Sequence, residues 1–131
     1  MFKKKEIYKV KSITVDPATL RNLTSGDEYL KRGVAYYARK QYENAENDLR
    51  TALAMDADPV EVNYCLGMVL KAESKSEEAI QCFEKVLDLL SQSHMKNYDR
   101  QAMLRRLAKG HINFMKTGDW DLEKEIFQHI T

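Results

Sequence analysis

Few residues in this chain are of the types that carry out chemistry. The two cysteines, Cys65 and Cys82, lie in separate predicted helices, without a CxxC pair and without a histidine at ligand spacing. Metal sites need several such ligands grouped together, so we expect both thiols to pack as small apolar side chains. The three histidines, His94, His111 and His129, are each isolated in the sequence. That isolation favours surface or helix-cap positions over a catalytic role.

Acidic pairs are a second place where catalysis could reside. Asp27 with Glu28 and Glu77 with Glu78 fall where helices are predicted to begin, and negative charge there complements the helix dipole. The sequence contains no glycine-rich phosphate loop and no nucleophile motif. It therefore predicts a protein with no catalytic residues, no cofactor and no metal site.

The composition limits the classes of partner that the protein is expected to bind. The 131 residues include 21 Lys and Arg against 20 Asp and Glu, for a net charge of +1. This balance argues against a nucleic-acid partner, and the basic stretches at residues 1–11 and 100–109 are predicted to be solvated. No segment approaches the roughly 20 apolar residues of a membrane span, and no secretory signal is recognisable. We expect a soluble, cytoplasmic protein.

The predicted helices of this chain carry a pattern that repeats at a fixed interval. Pairs of similar residues are separated by 34 positions in each case: Gly33 and Gly67, Ala45 and Ala79, Leu49 and Phe83. A period of 34 belongs to a helix–turn–helix unit that buries its apolar face only by stacking on a neighbouring copy. The small residues predict the points where two antiparallel helices touch, and the larger pair fills the space beside them.

The repeated strings resemble the tetratricopeptide repeat family. They read Tyr29-x-x-Arg32-Gly33-x-x-Tyr36 and Asn63-x-x-Leu66-Gly67-x-x-Leu70, each followed by the small and large residues above. Three positions depart from the family pattern, at Arg32, Asn63 and Ala57. The resemblance implies an all-α fold, a right-handed stack of about three helix–turn–helix pairs.

Helix boundaries divide the chain into an arm and a repeat domain. Ser25-Gly26-Asp27-Glu28 has the form of a capping box, and Pro59 suits the first turn of a third helix. Residues 1–24 are an N-terminal arm with a very short helix near residues 16–20. The repeat domain spans residues 25–131, with repeats at 25–57 and 58–97 and a divergent or capping pair at 98–131.

In the third pair the 34-residue register is lost, since Gln101 stands where a small residue is expected. A helical apolar pattern still covers residues 98–115. A turn at residues 118–120 then precedes a last helix with four apolar residues: Leu122, Ile126, Phe127 and Ile130. If Trp120 is aligned with Tyr42, Glu123 occupies the tight position that Ala45 and Ala79 hold in the two repeats.

The resemblance implies a non-catalytic module that binds a peptide or helix of a protein partner in an apolar concave groove. Side chains three before, one after and four after each repeat glycine share the groove-facing side of a helix. The predicted groove residues are Leu30, Val34, Tyr37, Tyr64, Met68 and Lys71. Co-chaperones of this family that hold a C-terminal carboxylate use Lys and Asn at positions occupied here by Leu30, Val34 and Cys65, so that clamp is not expected.

Two alternatives stay open. One is a small dedicated chaperone, similar to the tetratricopeptide chaperones of bacterial secretion systems, which shield an apolar segment of a client. A self-assembling scaffold or regulatory subunit is the other, with a homo-oligomer formed through the N-terminal arm. Neighbouring genes that encode secretion components would favour the chaperone. A mass that rises with concentration in light scattering would favour the self-assembling scaffold.

Overall fold

The computed structural model describes residues 15–92 and 98–120. Within these ranges the chain forms a short 3₁₀ turn at Pro17–Thr19 and five α-helices, with no strand. The helices are α1 (Gly26–Ala38), α2 (Tyr42–Ala54), α3 (Pro59–Ala72), α4 (Ser76–Gln92) and α5 (Tyr98–Thr117). The predicted all-α class is confirmed.

The chain divides into two compact units, with the boundary between Asp58 and Pro59. In the first unit α1 packs against α2, and the 3₁₀ turn packs on α1. In the second unit α4 packs against both α3 and α5.

The start of α1 is the capping box predicted from the sequence. The Ser25 hydroxyl accepts a hydrogen bond from the backbone N–H of Glu28, and the Glu28 carboxylate accepts from the backbone N–H groups of Ser25 and Thr24. These bonds, the Thr24 backbone first, lower the pKa of Glu28. The N–H of Gly26 donates to Asp56 Oδ1 over 2.9 Å, which ties the start of α1 to the residues after α2.

The 34-residue period is also visible in the backbone of the two turns. Lys40 and Ser74 both adopt left-handed conformations, with φ of 60° and 63°. The following N–H bonds to the carbonyl five positions earlier, over 2.9 Å in each case: Gln41 to Tyr36 and Lys75 to Leu70. This pattern closes a helix and reverses the chain in the space of a few residues. The two helix pairs therefore share their turn geometry as well as their sequence spacing.

The small-residue positions lie at the helix contacts, as predicted. Four side chains at the 34-residue spacing are fully buried: Ala45, Leu49, Ala79 and Phe83. A β-carbon added to Gly33 would lie 2.9 Å from Leu49 Cγ, and one added to Gly67 would lie 2.8 Å from the Phe83 ring. Both distances are below normal contact, so each glycine leaves the space that the facing large side chain fills.

Arg32, which departs from the family pattern, belongs to a partly buried ion pair. Its Nε and Nη2 donate to the two carboxylate oxygens of Asp48 over 2.7 and 2.8 Å, and Nη1 donates to the Leu20 carbonyl over 3.1 Å. The guanidinium also lies over the rings of Tyr29 and Tyr36. The Asp48 carboxylate raises the pKa of Arg32. The arginine thus joins α1, α2 and the residues after the 3₁₀ turn.

The third helix pair is described in part. Helix α5 covers the predicted 98–115 segment, and within it Gly110 is buried. A β-carbon on Gly110 would collide with the Trp120 indole. Gly110 therefore has in the third helix pair the role that Gly33 and Gly67 have in the first two. It lies 43 positions after Gly67, whereas the 34-residue spacing leads to Gln101, which is not small.

Two predictions lie outside the described residues. One is the last helix with Leu122, Ile126, Phe127 and Ile130, together with the position of Glu123. The other is the part of the N-terminal arm before residue 15.

Candidate protein-binding surfaces

Three of the predicted groove residues lie on α1 in the first unit. Leu30 is buried, with 8% of its surface accessible, which leaves little of it for a ligand. Val34 is 42% exposed although its neighbours Gly33 and Ala35 are buried. Tyr37 is half-buried, and its ring centroid lies 5.8 Å from that of Tyr42. Val34 and Tyr37 thus form the accessible part of this set, and we call them the α1 face.

The other three predicted residues lie on α3 in the second unit. Tyr64, Met68 and Lys71 are all half-buried. The Tyr64 ring meets the Phe83 ring edge-on at 5.7 Å. Tyr64 is therefore part of the core of this unit as well as of its surface.

Lys71 and Tyr64 hold a buried histidine of α5 between them. His111 stacks on the Phe83 ring at 4.8 Å, and the Trp120 ring meets it edge-on at 4.8 Å. Its Nδ1 lies 3.1 Å from Lys71 Nζ, and its Nε2 lies 3.3 Å from the Tyr64 hydroxyl. Because an ammonium only donates, Nδ1 must accept, which places the ring proton on Nε2 as donor to the Tyr64 oxygen.

The expectation that His111 is an isolated surface or cap residue is wrong. Its hydrogen-bonding partners stand 40 and 47 positions earlier in the chain, so no local pattern shows them. Burial and the charge of Lys71 lower the pKa of His111 from 6.5 to about 4. The imidazole is therefore neutral at neutral pH. His94 and His129 lie outside the described residues.

The environment of the Cys65 thiol does not activate it as a nucleophile. Cys65 and Cys82 are half-buried, and no disulfide joins them. Burial, with a smaller contribution from Glu61, raises the pKa of Cys65 to about 11, and a protonated thiol is a poor nucleophile. Across the part of the chain that the structure describes, no group of three or more potential ligands is placed to hold a metal ion. In the same ranges no helix is long and apolar enough to cross a membrane.

Phe114 extends the α3 surface onto α5 and was missed at the level of sequence. It is 46% exposed, and the Lys71 ammonium lies 5.0 Å from the centre of its ring. The signal was present, because Phe114 follows Gly110 by four positions, as Lys71 follows Gly67. The same spacing rule, applied to Gly110, also identifies His111. We call Met68, Lys71 and Phe114 the Lys71 surface.

Comparison with known proteins agrees with this geometry. Residues 29–59 and 60–89, slightly less than half of the chain, each match the tetratricopeptide repeat. The resemblance to that family is confirmed. The two matched stretches correspond to the α1–α2 and α3–α4 pairs. The tetratricopeptide repeats support a general role in protein–protein interaction.

A curated relative matches half of the chain. The chain is 32% identical over 66 residues to the small glutamine-rich tetratricopeptide repeat-containing protein 2 of Saccharomyces cerevisiae. The match covers 50% of this chain but 19% of the yeast protein. No solved structure matches the chain.

Proposed function

We propose that this protein is a non-catalytic module that binds a peptide or helix of a protein partner at apolar surfaces of its repeat helices. The two candidate surfaces are the α1 face in the first unit and the Lys71 surface in the second. The observation that carries the proposal is the exposure of apolar side chains at positions that the resemblance to the tetratricopeptide family assigns to the binding groove. Val34 is the clearest case, because it is 42% exposed between two buried neighbours.

The physical basis is the burial of apolar surface. Exposed apolar side chains gain about 25 cal/mol for each Å² removed from water. Tyr37 adds a large ring with few rotatable bonds, which is typical of residues that anchor protein interfaces. An amphipathic helix or an extended apolar peptide has the complementary surface.

The first experiment identifies a partner and then measures its affinity. A pull-down from the native organism, with mass spectrometry, supplies a client, and calorimetric titration gives its dissociation constant. We expect Val34→Ser and Met68→Ser each to weaken binding by about 1–2 kcal/mol, because each removes apolar contact without disturbing a buried side chain. Tyr37→Ala is expected to cost about 1–3 kcal/mol.

Leu53→Ser is the matched control. Leu53 is 38% exposed, close to the value for Val34, but it lies on α2, outside both proposed surfaces. Its replacement should leave the affinity unchanged. Equal losses for Leu53→Ser and Val34→Ser would point to a general loss of stability and would count against the proposed surfaces.

Salt provides an independent check. Contacts that are mainly apolar depend weakly on ionic strength, and a single exposed ion pair contributes about 0–1 kcal/mol. Strong loss of binding at high salt, without any effect of the Val34 and Met68 variants, would instead place binding on the basic 100–109 segment. Light scattering of the protein alone tests the alternative of a self-assembling scaffold, for which the mass rises with concentration.

A further inference from the structure

Lys71 carries a fixed positive charge with no acidic partner in the described ranges. Its ammonium is held 3.1 Å from His111 Nδ1, an acceptor that takes one of its three N–H donors. No carboxylate of the described residues lies within ion-pair distance of it. The nearest acidic residue in the sequence, Glu73, pairs with Lys75 at 3.8 Å. The C-terminal end of α3 offers only the partial negative charge of a helix dipole.

The surroundings of this charge are apolar. Met68 precedes Lys71 by one helical turn on the same face of α3, and the exposed Phe114 ring lies under the ammonium. Contact with an aromatic face and with a neutral imidazole orients the cation without neutralising it. A charge that is already oriented needs little further ordering when a partner binds.

We propose that the Lys71 surface binds an amphipathic helix of a partner protein whose apolar face is bordered by an Asp or Glu side chain, and that this carboxylate pairs with the Lys71 ammonium. The inference deepens the proposed function and rests on it. A side-chain carboxylate is favoured over a chain terminus for two reasons. Lys71 is the one described cation among the residues of this surface. Met68 and Phe114 lie beside it and present apolar contacts that a continuing helix would cover.

The experiment selects ligands from random sequences, so the client need not be identified first. Random peptides displayed on phage are enriched on the full-length protein and, in parallel, on the Lys71→Met variant. The wild-type protein is expected to enrich apolar sequences with an acidic residue three or four positions from an apolar one. The methionine variant keeps the apolar stem and loses the charge, so it should enrich apolar sequences without that acidic preference.

Synthetic peptides then isolate the contact. The best peptide is made with its acidic residue and with the matching amide, both with blocked termini, and titrated against each protein. We expect the amide to bind wild type about three- to five-fold more weakly, the effect of one exposed ion pair, and to bind Lys71→Met as well as the acid does. Lys71→Arg should retain most of the preference. Lys116→Met, the same charge change at an exposed position on α5, should not alter it.

Each outcome decides between the two proposals. Enrichment of apolar peptides with no acidic preference, or an acidic preference that survives in Lys71→Met, overturns the pairing and leaves the proposed function standing. An effect that requires a free peptide C-terminus overturns the side-chain assignment. Failure to enrich any apolar peptide, or binding that ignores both Val34→Ser and Met68→Ser, overturns the proposed function as well. Urea midpoints of all variants, followed by circular dichroism, verify that each is folded.

Discussion

The Arg32–Asp48 ion pair offers a direct test of how the first repeat is held together. In the second repeat the equivalent positions, 34 residues later, are Leu66 and Cys82. The double variant Arg32→Leu/Asp48→Cys therefore installs in the first repeat a pair that the chain already uses in the second. The two single variants each leave one charge without its partner.

The exposed fractions set the expected magnitudes. The Asp48 side chain is 8% exposed, so Arg32→Leu leaves a buried carboxylate without a counter-ion, which costs about 3–5 kcal/mol. The Arg32 side chain is 23% exposed and keeps the Leu20 carbonyl as an acceptor, so Asp48→Cys should cost less, about 2 kcal/mol. The double variant removes both charges, and its stability should lie within about 1 kcal/mol of wild type.

Urea unfolding under reducing conditions measures all four proteins. Circular dichroism reports the helices of both units, and the fluorescence of Trp120, the single tryptophan, reports the second unit. We expect the order of stability to be wild type, double variant, Asp48→Cys and Arg32→Leu. A double variant that loses as much stability as the two single variants combined would contradict this explanation, because it would show that the two charges do not compensate each other.

Two further predictions concern stability. Ala45→Glu and Ala79→Glu should each lower the free energy of unfolding by about 3 kcal/mol or more, because a carboxylate is forced between touching helices. Ala72→Glu, at an exposed position, is the control in the thermal melts. An unchanged melting midpoint for Ala45→Glu or Ala79→Glu would count against the repeat alignment. The second prediction concerns the pH dependence of stability. The pKa of His111 is about 4 in the folded protein and 6.5 in the unfolded chain, so the unfolded chain binds the proton first as pH falls. Its contribution is complete above pH 6.5 and is lost towards pH 4, by up to about 3 kcal/mol. The free energy of unfolding in urea, measured between pH 6.5 and pH 4, should not show this loss in His111→Gln. If it falls with pH equally in wild type and in His111→Gln, the assignment to His111 is wrong.

The repeat architecture of residues 25–92 could be predicted from the sequence because its determinants are local and recur at a fixed interval. A helix contact that admits only a small side chain requires Gly or Ala at a set position, as at Gly33 and Gly67. The capping box at Ser25 and the proline at Pro59 likewise act within a single helical turn.

Packing between helices determines which of the predicted surface residues are available and what surrounds them. Periodicity gives the direction of a side chain from its helix, but packing sets whether that direction is covered, as it is for Leu30 and is not for Val34. The surroundings of Lys71 depend on contacts between helices that are distant in the sequence. His111 and Phe114 reach it from α5, across about forty residues and a break in the repeat spacing. Since the burial, protonation and charge of such a cluster arise only when the helices meet, they are properties of the folded chain.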